Sequence, residues 1–137
     1  MPLEQLVYIS RSTSPPCSAQ VVAQITSEAI HHNPPNSITG ALAFTDTHFV
    51  QILEGSVGSL DVLLLRLLLD GRHTGLEVLD RIPITDRSFF SWAMIAPVMT
   101  PAGHRQLVQL IADDERSMVA FRDLLLMLSA SQRGNRL

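Results

Sequence analysis

The chain has 137 residues, 10 Lys+Arg against 13 Asp+Glu, a net charge of −3 and 46% hydrophobic residues. That length suits one compact domain with one core and leaves no space for a second independent domain beside it. The mildly negative charge, with no run of Lys or Arg, excludes a surface built to follow nucleic-acid phosphates. One cysteine, Cys17, excludes an internal disulfide framework and cannot build a zinc site alone. The start MPLEQLVYIS lacks the basic region and long apolar run of a secretion signal. The longest apolar stretch, Leu60 to Leu69, is interrupted by Asp61 and Arg66 and is too short for a membrane span. These features predict a cytoplasmic protein with neither nucleic acid nor membrane as partner.

Leu6 to Ser10 alternates apolar and polar residues as a short strand does, and Ser12-Thr13-Ser14-Pro15-Pro16 stops it. Val21, Ile25 and Ala29 recur at helical spacing, predicting a helix from about 16 to 31, capped by Ser14 or Ser18 and ended before Asn33-Pro34-Pro35-Asn36. Thr39 to Thr45 and His48 to Glu54 read as two strands joined in a hairpin at Asp46-Thr47. In the next helix, Val57 to Asp70, Leu60, Leu63, Leu64, Leu67 and Leu68 form a stripe that Val62, Leu65 and Leu69 widen almost all round. This helix is expected to be covered on more than one side, by the sheet, a ligand or another subunit, and to stop at Gly71. Leu76 to Ile84 and Phe89 to Ala96 read as two further strands around Thr85-Asp86-Arg87. Ala102 to Ala112 is helical, as is a segment from Asp114 or Glu115 to Ser131 with Met118, Phe121, Leu125 and Leu128 on its apolar side, and Gln132 to Leu137 is a polar tail. The order predicts an α+β, ferredoxin-like β-α-β-β-α-β-β sandwich with a five-stranded mixed sheet. Two helices would cover one face and the C-terminal helices the other.

Strand alternation places Phe49, Gln51 and Leu53 on one face and His48, Val50, Ile52 and Glu54 on the other. If the Phe49 face meets helices, Gln51 is an amide amid apolar side chains and needs a partner, since an unpaired buried amide costs about 1–3 kcal/mol. Tyr8 shares a face with Leu6 and Ser10, so it can meet Gln51 across the sheet, either as a polar pair that fixes register or as part of a site. Asn33 is equally suited to cap a helix end and to read a planar ligand edge. Arg66 can snorkel, pair with a carboxylate or meet a phosphate. Asp70-Gly71-Arg72-His73 is most simply a polar turn. His31 and His32 are adjacent and so diverge on a helix, and no cluster has metal-ligand spacing. There is no serine elbow or phosphate-binding glycine loop, and Ile38-Thr39-Gly40-Ala41 lacks the required glycines. Enzymatic chemistry therefore has no candidate constellation.

Several segments taken together resemble the BLUF family, the flavin-binding blue-light sensor module. They are Leu6-Val7-Tyr8-Ile9-Ser10, His32-Asn33, Ser37-Ile38-Thr39-Gly40-Ala41-Leu42, His48 to Gly55, Asp70-Gly71-Arg72-His73, Arg87-Ser88-Phe89 and Trp92-Ala93-Met94, spread over residues 4 to 96. The resemblance implies a light-sensing core over 1–96, a helical extension over 97–137, and FAD held between the first two helices. It further implies that Gln51 bridges Tyr8 and the flavin, that Asn33 bonds the ring edge, and that Ile25, Phe49 and Leu67 pack on the ring. Arg66, Asp70, Arg72 and His73, with His32 beside them, would lie near the ribityl chain and phosphates.

The same resemblance implies photochemistry without net reaction: the excited flavin takes an electron and a proton from Tyr8 through Gln51, recombination follows, and the Gln51 amide is left rearranged. Trp92 and Met94 would pass the change to the C-terminal helices, although from the residues alone ordinary core packing is the simpler account of both side chains. Pro34-Pro35 and the leucine-rich stretch depart from the family pattern. A short stand-alone sensor of this kind would act on a downstream signalling protein, and its apolar helix and mean hydropathy of +0.21 predict a homo-oligomer. A flavin-free ferredoxin-like interaction module is the alternative, and a flavin reductase a third reading.

Overall fold

The computed structural model describes residues 2–15, 19–32, 37–89, 94–97 and 99–133. Its elements are β1 (Leu3–Ser12), α1 (Ala19–His32), β2 (Thr39–Phe44), β3 (His48–Ser56), α2 (Val57–Leu68), β4 (His73–Ile84), α3 (Pro101–Ala112) and α4 (Met118–Arg133). The first six follow the β-α-β-β-α-β order of a split βαβ fold.

The strands form a four-stranded sheet in the order β2-β3-β1-β4, and each neighbouring pair is antiparallel. The sequence pattern predicts a fifth strand that would make the sheet mixed. The segment expected as a fifth strand falls partly outside the described residues. Its described end makes one parallel bridge to the β2 edge, where Ile95 N–H donates to the Gly40 carbonyl at 3.1 Å and Leu42 N–H to the Ile95 carbonyl at 2.8 Å. Met94, Ile95 and Ala96 nevertheless alternate between the two sides of the sheet as strand residues do.

Alternation sorts the side chains into two cores. Leu6, Tyr8, Phe49 and Leu53 pack with α1 and α2, whereas Val7, Ile9, Val50 and Ile52 pack with Leu107, Phe121, Leu125 and Leu128 of α3 and α4. The C-terminal helices thus cover the face left open by the first two. Gly40 permits close strand approach: a Cβ there would stand 2.0 Å from the Ile52 carbonyl oxygen.

Helix ends follow local chemistry. Ser56 caps α2 by accepting from Ser59 N–H, and Thr100 caps α3 by accepting from Gly103 N–H, with Pro101 in the first turn. α4 begins later than the acidic residues suggested, because the Ser117 hydroxyl accepts from Ala120 N–H and starts the helix. α2 ends at Leu69 in a right-handed cap rather than at Gly71. Within this single chain the sheet side of α2 is the covered one. Leu60 is buried, but Val62, Leu65, Leu68 and Leu69 are exposed, Leu69 at 87%, because a sheet contacts only one arc of a helix. No helix among the described residues is long and apolar enough to cross a membrane.

Candidate functional site

The α1/α2 face carries an unusual set of buried polar side chains. Tyr8 on β1 and Gln51 on β3 are directly opposite in the antiparallel register. The Tyr8 hydroxyl donates to Gln51 Oε1 at 2.5 Å, and Gln51 Nε2 donates to the Met94 sulfur at 3.3 Å. Tyr8 is 3% and Gln51 4% exposed, so neither can exchange these partners for bulk water. Burial, reinforced by the Asp70 carboxylate and opposed by Arg72, pushes the Tyr8 phenol far above its ordinary pKa of 10.0. The phenol is therefore neutral and keeps its proton.

Local strand geometry aims this tyrosine. The β1–β4 register shifts before the Tyr8–Val78 pair and again after Ile9–Glu77, and Gly75, at φ 63°, supplies the left-handed residue within the second irregularity. β4 therefore wraps around the end of β1 and brings His73 beside the phenol. The His73 ring stands edge-on to Tyr8 at 6.1 Å and to Phe49 at 6.3 Å. Its Nε2 lies 2.6 Å from the Leu67 carbonyl and its Nδ1 2.7 Å from the Ser10 hydroxyl. A carbonyl only accepts, so Nε2 carries a proton, and in the neutral ring Nδ1 accepts from Ser10.

At the end of α2 a charged cluster closes over α1. Arg72 pairs with Asp70 at 2.6 Å and with Glu28 of α1 at 2.8 Å. The Arg72 guanidinium holds the Asp70 carboxyl below its usual range. The half-buried apolar side chains Val21, Ile25, Leu63, Leu64 and Leu67 pack against the core that contains Tyr8 and Phe49. Apolar walls with a few convergent polar groups suit a planar ligand with a hydrogen-bonding edge. Among the described residues, no group of three or more His, Cys, Asp or Glu side chains could hold a metal ion.

The structure thus brings together Tyr8, Ile25, Phe49, Gln51, Leu67 and Met94 in one core, with His73 against it and Asp70 and Arg72 at its rim. Arg66 is exposed on α2 and makes no ion pair among the described residues. Asn33 and Trp92 lie outside the described residues, as does the side chain of His32. Sequence reasoning missed Glu28, whose pairing with Arg72 spans 44 positions and leaves no local mark. It also passed over Gln5 and Glu54, a cross-strand pair bonded at 2.9 Å on the α3/α4 side. Both are polar residues on an apolar face, the same signal that singled out Gln51.

The family model described as "BLUF: Sensors of blue-light using FAD" matches residues 3–95. The chain belongs to the BLUF family. BLUF domains are photosensory modules that bind flavin. Among curated relatives, the photoactivated adenylate cyclase subunit beta of Euglena gracilis is 33% identical over 93 residues, covering 67% of this chain and 11% of the relative. The alpha subunit from the same organism is likewise 33% identical, over 9% of its length. The chain thus spans about a tenth of the curated relatives it matches. The dark-state structure of BlrB, a BLUF protein, has TM-score 0.77 and 27% identity, covering 92% of this chain and 96% of that one. A bacterial light-regulated adenylyl cyclase has TM-score 0.66 and 31% identity, covering 96% of this chain and 35% of that one.

Proposed function

We propose that this BLUF chain is a blue-light receptor that binds FAD and signals to another protein through its C-terminal helices. The observation that carries the reading is the position of the Gln51 amide, bonded on one side to Tyr8 and on the other to Met94. Residues 1–96 would form the flavin core and 97–137 its extension. Ile25, Phe49 and Leu67 would pack on the flavin ring, with Gln51 and Tyr8 at its hydrogen-bonding edge. Asp70, Arg72 and His73 stand at the rim for the ribityl chain and phosphates, whereas His32, Asn33 and Arg66 are assigned by family resemblance alone.

FAD, when bound, supplies light absorption and, once excited, a strong oxidant. Tyr8 suits the donor role because burial keeps its hydroxyl proton in place to leave with an electron. Gln51 lies in line to carry that proton, and the return of both proton and electron restores the phenol. Rotation of the amide exchanges its oxygen and nitrogen. Tyr8 would then face an N–H group, and Met94, whose sulfur only accepts, would face a carbonyl. The Gln51–Met94 bond would then be lost, leaving the segment tied to the sheet edge by the Ile95 backbone bonds to β2 and able to shift about them. This is a local hydrogen-bond change biasing a two-state element.

The decisive measurement is the absorption spectrum of FAD-reconstituted protein before and after blue light. A reversible shift to longer wavelength is expected, and protein that takes up no flavin rejects the reading. Tyr8→Phe and Gln51→Ala should each abolish the shift with flavin still bound; an unchanged shift in either rejects the relay. The exposed Val62, Leu65, Leu68 and Leu69 of α2 support self-association, which light scattering of size-separated protein in darkness and light would detect.

A further inference from the structure

The segment after β4 is fastened to β3 at two places, one on each side of the sheet. Its downstream fastening is the Gln51–Met94 bond on the α1/α2 side. The upstream fastening is the carboxylate of Glu54, three residues further along the same strand and 0% exposed. Glu54 Oε1 accepts from the Phe89 N–H at 2.8 Å. Its Oε2 accepts from the Ser88 N–H at 3.0 Å and from Gln5 Nε2 at 2.9 Å. The backbone carbonyl of Glu54 takes a further bond from Arg87 Nη1 at 3.0 Å, and that nitrogen also donates to the Thr39 hydroxyl at 3.0 Å. Both ends of one residue thus hold the backbone or side chains of three consecutive residues.

What Glu54 holds is the connection to the helical layer. Phe89, 0% exposed, belongs to the core formed with Leu107, Phe121 and Leu125 of α3 and α4. A fully buried carboxylate is expensive, and a purely structural turn could be closed by neutral acceptors. Here the cost is met by three N–H donors converging on one charged group, the arrangement that gives the strongest and most directional hydrogen bonds.

We propose that Glu54 is a positioning residue for signal output. It clamps the upstream end of the segment so that release of Met94 by Gln51 is transmitted through Phe89 to α3 and α4 instead of being absorbed by slippage of the chain. The proposal rests on the light-sensing reading above, and it adds a residue that touches neither the flavin walls nor the Tyr8–Gln51 pair.

The test uses the full FAD-loaded chain with Glu54→Gln, which keeps the shape but turns one acceptor oxygen into an amide that opposes a backbone N–H. Three quantities are compared in darkness and light: the flavin absorption shift, amide hydrogen exchange in α3 and α4, and the infrared difference spectrum in the carboxylate region. Native protein is expected to show all three changes, including a carboxylate band that disappears in Glu54→Gln. The variant should keep the absorption shift and lose the light–dark difference in exchange of α3 and α4. Persistence of that difference in the variant, or absence of the carboxylate band in native protein, overturns the clamp while leaving the photoreceptor reading intact. A native protein without any absorption shift overturns the photoreceptor reading and the clamp with it. Should Glu54→Gln fail to fold, Arg87→Met removes only the outer bonds and is expected to diminish the exchange difference; an undiminished difference counts against the clamp.

Discussion

The two faces of the sheet are built by the same strands and differ in kind. Against α3 and α4 the contact is mostly an apolar layer in which Val7, Val50, Ile52, Phe121 and Leu125 are fully covered, with the bonded Gln5–Glu54 pair fixed at one end. Against α1 and α2 the strands present Tyr8, Gln51 and Ser10, each bonded to another side chain, beneath apolar walls that are only half-buried. Close packing is what makes one face rigid, because any displacement there costs contacts. On the other face side-chain hydrogen bonds replace part of that packing, and the proposed light response would act by changing the partners of one of them, the Gln51 amide. Successive residues of a strand serve opposite faces, so Gln51 and Ile52 join the two regimes across a single backbone.

The contrast can be broken first by truncation. Phe121→Ala in the apolar layer should cost about 3–5 kcal/mol of unfolding free energy. Ile25→Ala in the half-buried wall should cost clearly less when both are measured by denaturant unfolding of flavin-free protein. Equal losses would mean that the walls are as tightly packed as the core. Next in size is Tyr8→Phe, which leaves Gln51 Oε1 buried without its donor and should cost about 1–3 kcal/mol in the same assay. A neutral result would show that the amide finds another partner.

Alkaline titration sharpens the comparison from the polar side. Tyr8 is the only tyrosine, so near-ultraviolet phenolate absorbance reports this phenol alone. Its folded pKa is raised above the ordinary 10.0, so from that pH upward the unfolded chain releases a proton that the folded chain retains. Stability should therefore fall as pH rises above that point, with phenolate appearing only as the protein unfolds. Phenolate forming near the ordinary value in folded protein would show that solvent reaches the site. The smallest effect is expected at the rim. Glu28→Gln leaves Arg72 its Asp70 partner and exposes no buried charge, so the loss should stay below about 1 kcal/mol in denaturant unfolding, as for other partly exposed pairs.

Much of the sandwich was legible in local patterning. Period-two alternation sorted Phe49, Gln51 and Leu53 from Val50 and Ile52, and the structure divides them in the same way. The hairpin, the helices and the placement of Tyr8 with Leu6 and Ser10 follow from the same short-range rules. Less was legible where several elements decide together. Phe89 to Ala96 reads as a strand by composition, but its pairing depends on which sheet edge is free, and the described part bridges the β2 edge through Ile95. The leucine-rich helix is apolar all round, but how much of that surface is covered depends on how many neighbours reach it.

What the amino-acid sequence determined by itself is which side chains share a face, since strand and helix periods are properties of the backbone. It also marked Gln51 as a polar group that needed a partner. Only tertiary structure decided the register that sets Tyr8 opposite Gln51, the approach of Met94 to the same amide, and the convergence of Gln5, Ser88 and Phe89 on Glu54. Those contacts join residues separated by 34 to 49 positions, and no local period encodes such distances. They exist because the strands must pair in the one register that buries both faces at once.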